Sequence, residues 1–403
     1  MKVLLLNTYA GGGAGIASGR LLAALQAEGK DAALLHAADV GSRWPFYAER
    51  LSFLPYERDS SVRFSFSPAN FGKDLCHHPL VQAADILHLH WINQGFLSLK
   101  NIARLARLGK PIVWTLHDIW AFTGGCHIHT CDHFQRACGD CPYLRRPGPR
   151  DLSHRIWAAK KRWFPADIHF VTCSEWLRGM ALSSSLLADY PITTIPNPIN
   201  TQVFRPITAT ERTAFRHEKG IAPGARVVLF VAMKISEPHK GFRFLQAALQ
   251  QIKASQPDLP LEIMVIGKPD PEALAALPYP VHALGLVQDT GQLARIYAAA
   301  DVFVTPTLAD NLPNTVMESL SCGTPVAGFR TGGVPEMVEH RVSGFIAPQG
   351  DSAALAEGIR WILSGEKPIG ELRRAARQKV EKDYANSVVA AQYTGLYKSL
   401  QHI

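Results

Sequence analysis

The sequence lacks any run of about 18 apolar residues, the length that a membrane-spanning helix needs. Its first apolar run, residues 3–6, is too short for the core of a signal peptide. Low-complexity tracts and short-period repeats are also absent from the sequence. We therefore expect a cytoplasmic chain whose 7 cysteines are reduced.

An excess of negative charge is absent too. Lys and Arg number 42 against 34 Asp and Glu, which gives a net charge of +8. Such a balance favours anionic partners, such as nucleotide phosphates or an acidic lipid surface. Because the excess is modest for 403 residues, we expect no nucleic-acid partner. At 47% hydrophobic residues the chain can bury a core, and its length predicts two or three domains.

Short apolar runs alternate with helical patterns along the chain, which predicts an α/β fold with parallel sheets. The first run is followed by a glycine loop at 11–15 and a helical pattern that ends at Gly29. The other strand-like runs are 32–35, 86–89, 112–116, 168–171, 227–232, 261–266, 302–304 and 325–328. This alternation occurs twice along the chain, and a proline-rich segment near 195–206 is the expected domain boundary. We predict two doubly wound, Rossmann-like domains facing a cleft, over residues 1–200 and 201–384. A terminal helix at about 385–403 is expected to pack back on the first domain.

The strongest chemical signal lies in residues 305–326. A strand ends at Thr305, and a helix is expected to begin shortly after Asp310 and to stop near Gly323. Ligands of doubly wound sheets bind at the carboxyl ends of strands, and helix N-termini attract phosphate. Asp310 and Glu318 could therefore face one ligand. The alternative is that Asp310 caps the helix and Glu318 is a solvated helix residue.

This segment resembles the acid-x7-acid signature of the family-4 retaining glycosyltransferases, which have the GT-B fold. The similarity extends over nearly the whole chain. It includes Lys240-Gly241, residues 195–200, Thr115-Leu116-His117-Asp118 and Gly332-Gly333-Val334-Pro335-Glu336. The stretch from His90 to Pro142 is similar to a subgroup associated with colanic-acid and capsular polysaccharide assembly.

The resemblance implies an enzyme of the hexosyltransferase class (EC 2.4). It would move a sugar from a nucleotide-diphosphate donor to a saccharide, often lipid-linked, in exopolysaccharide, capsule or O-antigen assembly. The second domain would bind the donor and the first would present the acceptor. The resemblance implies same-face attack, with the leaving phosphate taking the acceptor proton, and no cofactor for catalysis.

The resemblance also assigns roles to residues of the second domain. Glu318 would bind the ribose hydroxyls, Asp310 the donor sugar, and Lys240 the pyrophosphate. Asp310 stands where the family usually has Glu, which shortens that contact. Lys234 could supply a second cation, although both lysines could simply be solvated. The remaining expected donor contacts are Asn311, Leu312, Pro313, Asn314 and Thr315.

In the first domain, the resemblance places Gly13 and Gly15 beside the donor phosphates and the acceptor. The loop does not match the dinucleotide fingerprint, because Ser18 stands at the third glycine position, so a dehydrogenase is remote. His117 would contact the donor sugar, the alternative being a structural histidine bonded to Asp118. His90 and Trp91 would lie on the acceptor side, the alternative being ordinary packing.

Four cysteines lie within a short segment: Cys126, Cys131, Cys138 and Cys141. His127, His129 and His133 are interleaved with them. Four thiolates that end in C-x-x-C could hold a structural zinc ion. Unmetallated thiols and a redox or disulfide role are the alternatives.

Basic and aromatic residues mix between residues 145 and 164. The basic residues are Arg145, Arg146, Arg150, Lys160, Lys161 and Arg162, and the aromatic residues are Trp157, Trp163 and Phe164. The mixture suits an anionic membrane interface, at the inner face of the plasma membrane, or a solvated face.

Two other functions remain open at this point. A nucleotide-sugar epimerase of the same fold would turn over the donor without an acceptor. A non-catalytic nucleotide-sugar binding protein would form no product.

Overall fold

The structure is a computed structural model that describes residues 1–128 and 131–401. It divides into two compact units. The N-terminal unit comprises Met1–Pro198 and the segment from Val389 onward, and the C-terminal unit comprises Ile199–Val388. Among the described residues, no helix is both long and apolar enough to cross a membrane.

The N-terminal unit is built on a six-stranded parallel sheet. Its strands are β1 (Lys2–Asn7), β2 (Asp31–His36), β3 (Ile86–Leu89), β4 (Ile112–Leu116), β5 (His169–Thr172) and β6 (Ile192–Thr194), in the order β2-β1-β3-β4-β5-β6. β3 and β4 are buried along their whole length, as expected for strands covered on both faces. The chain leaves β1 and β3 in opposite directions, so a crevice opens beyond their carboxyl ends.

Helices cover this sheet. They are α1 (Gly12–Ala27), α2 (Trp44–Phe53), α3 (Pro79–Ala83), α4 (Leu99–Ala106), α5 (Leu152–Trp163) and α6 (Glu175–Leu182). Several begin at side-chain caps that satisfy their first backbone N–H groups. The Asp151 carboxylate accepts from the backbone N–H groups of Ser153 and His154, and Ser98 caps α4.

The C-terminal unit repeats the architecture with a second six-stranded parallel sheet. Its strands are β7 (Arg226–Lys234), β8 (Leu261–Lys268), β9 (Val281–Ala283), β10 (Val302–Thr305), β11 (Val326–Phe329) and β12 (Gly344–Ala347), in the order β12-β11-β10-β7-β8-β9. Its helices are α7 (Ala209–Glu218), α8 (Phe242–Ser255), α9 (Pro271–Ala275), α10 (Thr290–Ala299), α11 (Asn314–Ser321), α12 (Val334–Met337), α13 (Ser352–Ser364) and α14 (Ile369–Asp383). Here the strand order reverses between β7 and β10. The two parallel, Rossmann-like sheets confirm the predicted fold class.

One last helix, α15 (Asn386–Gln401), completes the core of the N-terminal unit. Its Val389, Ala390, Tyr393 and Tyr397 are buried in the cluster that contains Val3 and other residues of the first sheet. Of the terminal segment predicted to be helical, residues 402 and 403 lie outside the described residues.

Candidate functional site

The first group of predicted site residues lies at the β7–β10 reversal of the C-terminal unit. The loop after β7 turns at Gly241, whose φ of 72° places it in the left-handed region. A Cβ atom there would overlap the carbonyl oxygen of Pro306, so glycine is required. The two loops are also joined by hydrogen bonds, because the His239 carbonyl accepts from Leu308 N at 2.7 Å and from Thr307 Oγ1 at 3.1 Å.

Lys240 and Asp310 meet across these loops. Lys240 Nζ donates to Asp310 Oδ2 at 2.9 Å, and both side chains are partly exposed. Asp310 is therefore an ion-pair partner, and the cap of α11 is Pro313. An anion that binds Lys240 must compete with the Asp310 carboxylate or approach the ammonium from another side.

The Asp310 loop rests on the turn that precedes α12. Gly332 has a φ of 53°, and a Cβ atom there would overlap the Asp310 carbonyl oxygen. Gly333 N donates to the Asn311 carbonyl at 2.7 Å. The glycine pair recognised in the sequence therefore fixes the path of residues 310 and 311.

Glu318 lies on α11, four residues after the helix begins at Asn314. Its side chain is buried, at 5% exposure, so the alternative of a solvated helix residue is wrong. Leu312 and Pro313 are buried before the helix, while Asn311, Asn314 and Thr315 are partly exposed. Lys234 is exposed at the end of β7. The helix ends at Ser321, and Gly323 follows with a φ of 73°.

A second group of predicted residues lies at the β1–β3 crevice of the N-terminal unit. A cavity of about 300 Å³ is lined by Asn7, Tyr9, Gly11, Gly12, Gly13, Ala14, Gly15, Trp91, His117 and Asp118. Gly15 lies in the first turn of α1, and a Cβ atom there would overlap the Tyr9 carbonyl oxygen. The Trp91 indole N–H donates to Asp118 Oδ2 at 2.8 Å, and Trp91 N donates to Asn7 Oδ1 at 2.9 Å.

His117 contacts His90. His90 Nδ1 and His117 Nε2 are 3.0 Å apart, and His90 is 3% exposed. Asp118 contacts His127, with 2.7 Å between Oδ2 and Nδ1, and it accepts a hydrogen bond from Trp120 N. Burial opposes ionisation of Asp118, but His127 and the other donors keep the pKa of this carboxyl below its ordinary value.

Beneath His90 lies a polar network that the sequence analysis missed. His88 Nδ1 is 2.7 Å from the Tyr397 hydroxyl, and His88 Nε2 is 2.7 Å from Thr115 Oγ1. Thr115 Oγ1 in turn contacts the Tyr393 hydroxyl at 2.8 Å. One sequence signal was available: His88 and His90 are two residues apart, which places both side chains on one face of an extended segment.

The histidines of this network are neutral at physiological pH. Burial lowers the pKa of His88 to about 3 and that of His117 to about 4. Burial also lowers the pKa of His90 well below its ordinary value. His117 can therefore act at the cavity as a neutral hydrogen-bonding group, without a positive charge.

The four clustered cysteines do not assemble a metal site in the described part of the chain. Cys126 Sγ and Cys141 Sγ are 3.7 Å apart, and Cys138 Sγ accepts from Gly124 N at 3.0 Å. Cys131 is half-buried. Across residues 1–128 and 131–401, no three His, Cys, Asp or Glu side chains are placed to hold a metal. The zinc prediction thus finds no support there, and His129 lies outside the described residues.

The basic segment near α5 differs from the predicted exposed face. Lys160 is fully buried; its ammonium donates to the Thr123 carbonyl at 2.9 Å and to the Trp120 carbonyl, and burial lowers its pKa to about 7. Phe164 is buried, and Trp157 and Trp163 pack against the core. Arg145, Arg146, Arg150, Lys161 and Arg162 are exposed.

Solved structures with the same architecture define the class of fold. Sucrose-phosphate synthase from Thermosynechococcus elongatus superposes with a TM-score of 0.69 over 100% of this chain and 99% of that one, at 18% identity. Anabaena HepE in complex with UDP superposes with a TM-score of 0.68 over 99% of this chain and 100% of that one, at 18% identity. The fold is therefore the GT-B fold of glycosyltransferases.

Family models identify the two units more narrowly. Residues 11–203 match the model described as Glycosyltransferase Family 4, and residues 225–365 match that described as Glycosyl transferases group 1. Both units thus match family models of glycosyltransferases.

Three curated relatives are named as glycosyltransferases or mannosyltransferases. The amylovoran biosynthesis glycosyltransferase AmsK of Erwinia amylovora is 32% identical over 27% of this chain and 28% of that protein. The D-inositol 3-phosphate glycosyltransferase of Jonesia denitrificans is 28% identical over 48% of this chain and 47% of that protein. The matches with these two thus span less than half of each relative. The phosphatidyl-myo-inositol mannosyltransferase of Mycobacterium leprae is 26% identical over 94% of this chain and 91% of that protein.

Proposed function

We propose that this protein is a retaining glycosyltransferase that moves a sugar from a nucleotide-diphosphate donor to a saccharide acceptor. The observation that carries the proposal is the Lys240–Asp310 pair at the β7–β10 reversal, beside the start of α11 and its buried Glu318. A cation, a helix N-terminus and two carboxylates match the parts of a nucleotide sugar, namely diphosphate, ribose and hexose.

In the proposed donor complex, each charged group has a separate partner. Lys240 binds the pyrophosphate, and its charge stabilises the leaving group as the glycosidic bond breaks. Glu318 accepts hydrogen bonds from the ribose diol, and Asp310 accepts from hydroxyls of the donor sugar. Diphosphate binding draws Lys240 away from Asp310, which leaves the carboxylate available to the sugar. The backbone of residues 311–315 and Lys234 complete the donor site.

In the proposed function, residues of the N-terminal unit also contact the donor sugar and the acceptor. Gly13 and Gly15 allow a ligand to approach the backbone of the cavity closely. His117, being neutral, forms a hydrogen bond to the donor sugar, and His90 and Trp91 lie on the acceptor side. Attack occurs on the face that the phosphate leaves, the phosphate oxygen takes the acceptor proton, and no metal is required.

The acceptor is proposed to be a lipid-linked saccharide in exopolysaccharide, capsule or O-antigen assembly. Two comparisons support this class of acceptor, and a third supports the nucleotide-sugar donor. AmsK is named for amylovoran biosynthesis, the mycobacterial relative is named a phosphatidyl-myo-inositol mannosyltransferase, and HepE structures hold UDP and UDP-glucose. A lipid-linked acceptor would bring the protein to the cytoplasmic face of an anionic membrane.

Nucleotide binding tests the donor site directly. The dissociation constants of UDP, GDP and ADP are measured by titration calorimetry for the wild type, Lys240→Met and Glu318→Gln. Each lost charge-assisted contact is expected to weaken binding of the preferred nucleotide about 10- to 100-fold. The matched controls are Lys253→Met and Glu272→Gln, which change exposed residues of the same unit.

The outcomes distinguish a glycosyltransferase from an epimerase and from a non-catalytic binding protein. Wild-type affinity in both site variants would refute the donor site. Transfer is then assayed by mass spectrometry with the preferred nucleotide sugar and lipid-linked or free saccharides. Isotope exchange at C2 of the donor sugar without an acceptor would instead identify an epimerase. Donor binding without any product would identify a binding protein.

A further inference from the structure

The C-terminal unit has a large cavity at the opposite end of its strands from Lys240 and Asp310. The volume of this cavity is about 820 Å³, and small-molecule sites commonly have about 300–1000 Å³. Its lining includes Arg226, the first residue of β7, and Pro260, which directly precedes β8. The ends of the nine-residue strand β7 are about 25 Å apart. A ligand in this cavity, called the basal cavity below, would therefore not contact the proposed donor site.

The polar side chains of the basal cavity carry both signs of charge. The arginines of its lining are Arg226, Arg341 and Arg360, and the acids are Asp258, Glu357 and Glu366. Arg341 Nη2 pairs with Glu357 Oε1 at 3.2 Å. Within residues 1–128 and 131–401, the other two arginines and the other two acids have no ion-pair partner. These four groups are available to a ligand that offers both an anion and hydrogen-bond donors.

Arg341 and Trp361 form one wall of the basal cavity. The Arg341 guanidinium carbon is 5.8 Å from the centroid of the Trp361 ring. Arg341 has a φ of 59°, a left-handed conformation that is unfavourable for a residue with a side chain. Two hydrogen bonds hold it there, from Arg341 N to the Gly344 carbonyl at 2.7 Å and from Lys367 Nζ to the Arg341 carbonyl at 3.3 Å. Residues held in such conformations cluster at ligand sites. The Trp361 indole N–H has no acceptor in the described part of the chain, so it can donate to a ligand.

Positive charge is in excess next to the basal cavity. The buried Asp301 carboxylate pairs with Arg216 at 2.8 Å, with Arg212, and with Arg373 at 3.8 Å. Arg226 lies close to this group, because the residue that follows it donates its backbone N–H to Asp301 Oδ2 at 2.8 Å. Three arginines thus share one carboxylate beside an arginine of the cavity. The resulting potential favours a ligand that carries negative charge.

We propose that the basal cavity binds an acidic saccharide, that is, a short chain of sugars that carry carboxylates. Arg226 and Arg360 bind a ligand carboxylate, and Asp258 and Glu366 accept hydrogen bonds from ligand hydroxyls. Leu259 lines the same cavity and offers an apolar surface to the C–H groups of a sugar ring. A nucleotide fits less well, because the acids of the cavity would repel its several phosphate charges. This site is independent of the proposed donor site, and it would hold a saccharide without bringing it to Lys240.

Fluorine NMR tests the cavity directly, because Trp361 is the only one of the eight tryptophans that lies in the C-terminal unit. The full-length protein is labelled with fluorotryptophan, and the resonance that is missing from Trp361→Phe identifies Trp361. The protein is then titrated with trigalacturonic acid, with the neutral trisaccharide maltotriose, with UDP and with inorganic phosphate. Trigalacturonic acid should shift the Trp361 resonance at concentrations at least tenfold lower than maltotriose requires, because only the acid meets the two arginines.

Calorimetry with trigalacturonic acid measures the contribution of each group. Arg226→Gln/Arg360→Gln should weaken binding at least tenfold, since two charge-assisted contacts are lost. Trp361→Phe keeps the aromatic ring and removes only the N–H, so it should weaken binding about 2- to 10-fold. The matched control is Arg374→Gln, which changes an exposed arginine of the same unit and should bind like the wild type. Circular dichroism and thermal melting verify that the variants are folded.

Several results would overturn the proposal. They are a Trp361 resonance that trigalacturonic acid leaves unshifted, equal affinities for the acidic and the neutral trisaccharide, and wild-type affinity in Arg226→Gln/Arg360→Gln. A shift of the same resonance at lower concentrations of UDP or phosphate would also overturn it. Nucleotide affinity should be unchanged in the cavity variants, and trigalacturonic acid should bind Lys240→Met like the wild type. Failure of the donor site is thereby kept distinct from failure of the basal cavity.

Discussion

Acidification should unfold the N-terminal unit through its buried histidines. His88 and His117 have a pKa of about 3 and about 4 in the folded protein, against 6.5 for a solvated histidine. A lowered pKa means that the unfolded chain binds more protons below pH about 6.5. Stability is therefore full above that pH and falls as the pH drops toward the folded values.

The size of the effect follows from the pH interval. As the pH falls from 6.5 to 5, each buried neutral histidine lowers the protein's free energy of unfolding by about 1.4 kcal/mol per pH unit, or about 2 kcal/mol in total. His88 and His117 together lower the free energy of unfolding by about 4 kcal/mol, and His90 lowers it further. Whole domains are commonly stable by about 5–15 kcal/mol, so the loss is a large share.

Urea denaturation at a series of pH values measures this dependence. Seven of the eight tryptophans lie in the N-terminal unit, so tryptophan fluorescence reports mainly on its unfolding. The His88→Gln variant should have a lower free energy of unfolding than the wild type at pH 7.5. On acidification, the slope of its unfolding free energy against pH should be smaller than that of the wild type by about 1.4 kcal/mol per pH unit. The exposed His77→Gln is the control and should follow the wild type. A flat unfolding free energy between pH 7 and 5 would refute the reasoning.

Two further substitutions test the scaffold of the C-terminal unit. Gly332→Ala should lower the melting temperature and weaken nucleotide-sugar binding, because its Cβ overlaps the Asp310 carbonyl at a φ of 53°; unchanged affinity by calorimetry would contradict this. Asp301→Asn should cost about 3–5 kcal/mol in urea denaturation, because the buried carboxylate pairs with Arg216 at 2.8 Å and accepts from Val227 N at 2.8 Å. A loss below about 1 kcal/mol would show that this ion pair matters little.

Much of the fold could be predicted because a parallel strand buried on both faces appears in the sequence as a continuous apolar run. Residues 86–89 and 112–116 illustrate this, since the structure has both as fully buried strands. The positions of Lys240 and Asp310 were predictable only as loop residues after such strands. Their contact joins residues 70 apart in the chain, so it depends on tertiary structure.

Other features could not be predicted because they depend on distant partners. Lys160 stands in a run of basic residues, yet it is buried and its ammonium donates hydrogen bonds to the carbonyls of Trp120 and Thr123. His88 is satisfied by Tyr397, 309 residues later. The exposure of Trp44 and Leu51 on one side of α2 is likewise a property of the packed unit, since apolar residues at such spacing normally indicate a core-facing side.

The path of α15 has a consequence for biosynthesis. Tyr393 and Tyr397 close the polar network of the first sheet, but the ribosome makes them only after all of Ile199–Val388. When the rest of the N-terminal unit has been synthesised, nearly half of the polypeptide is still to be translated. Until then His88 and the side of the first sheet that α15 covers have no helix packed against them. Chaperones would meet this half-finished sheet in the cell.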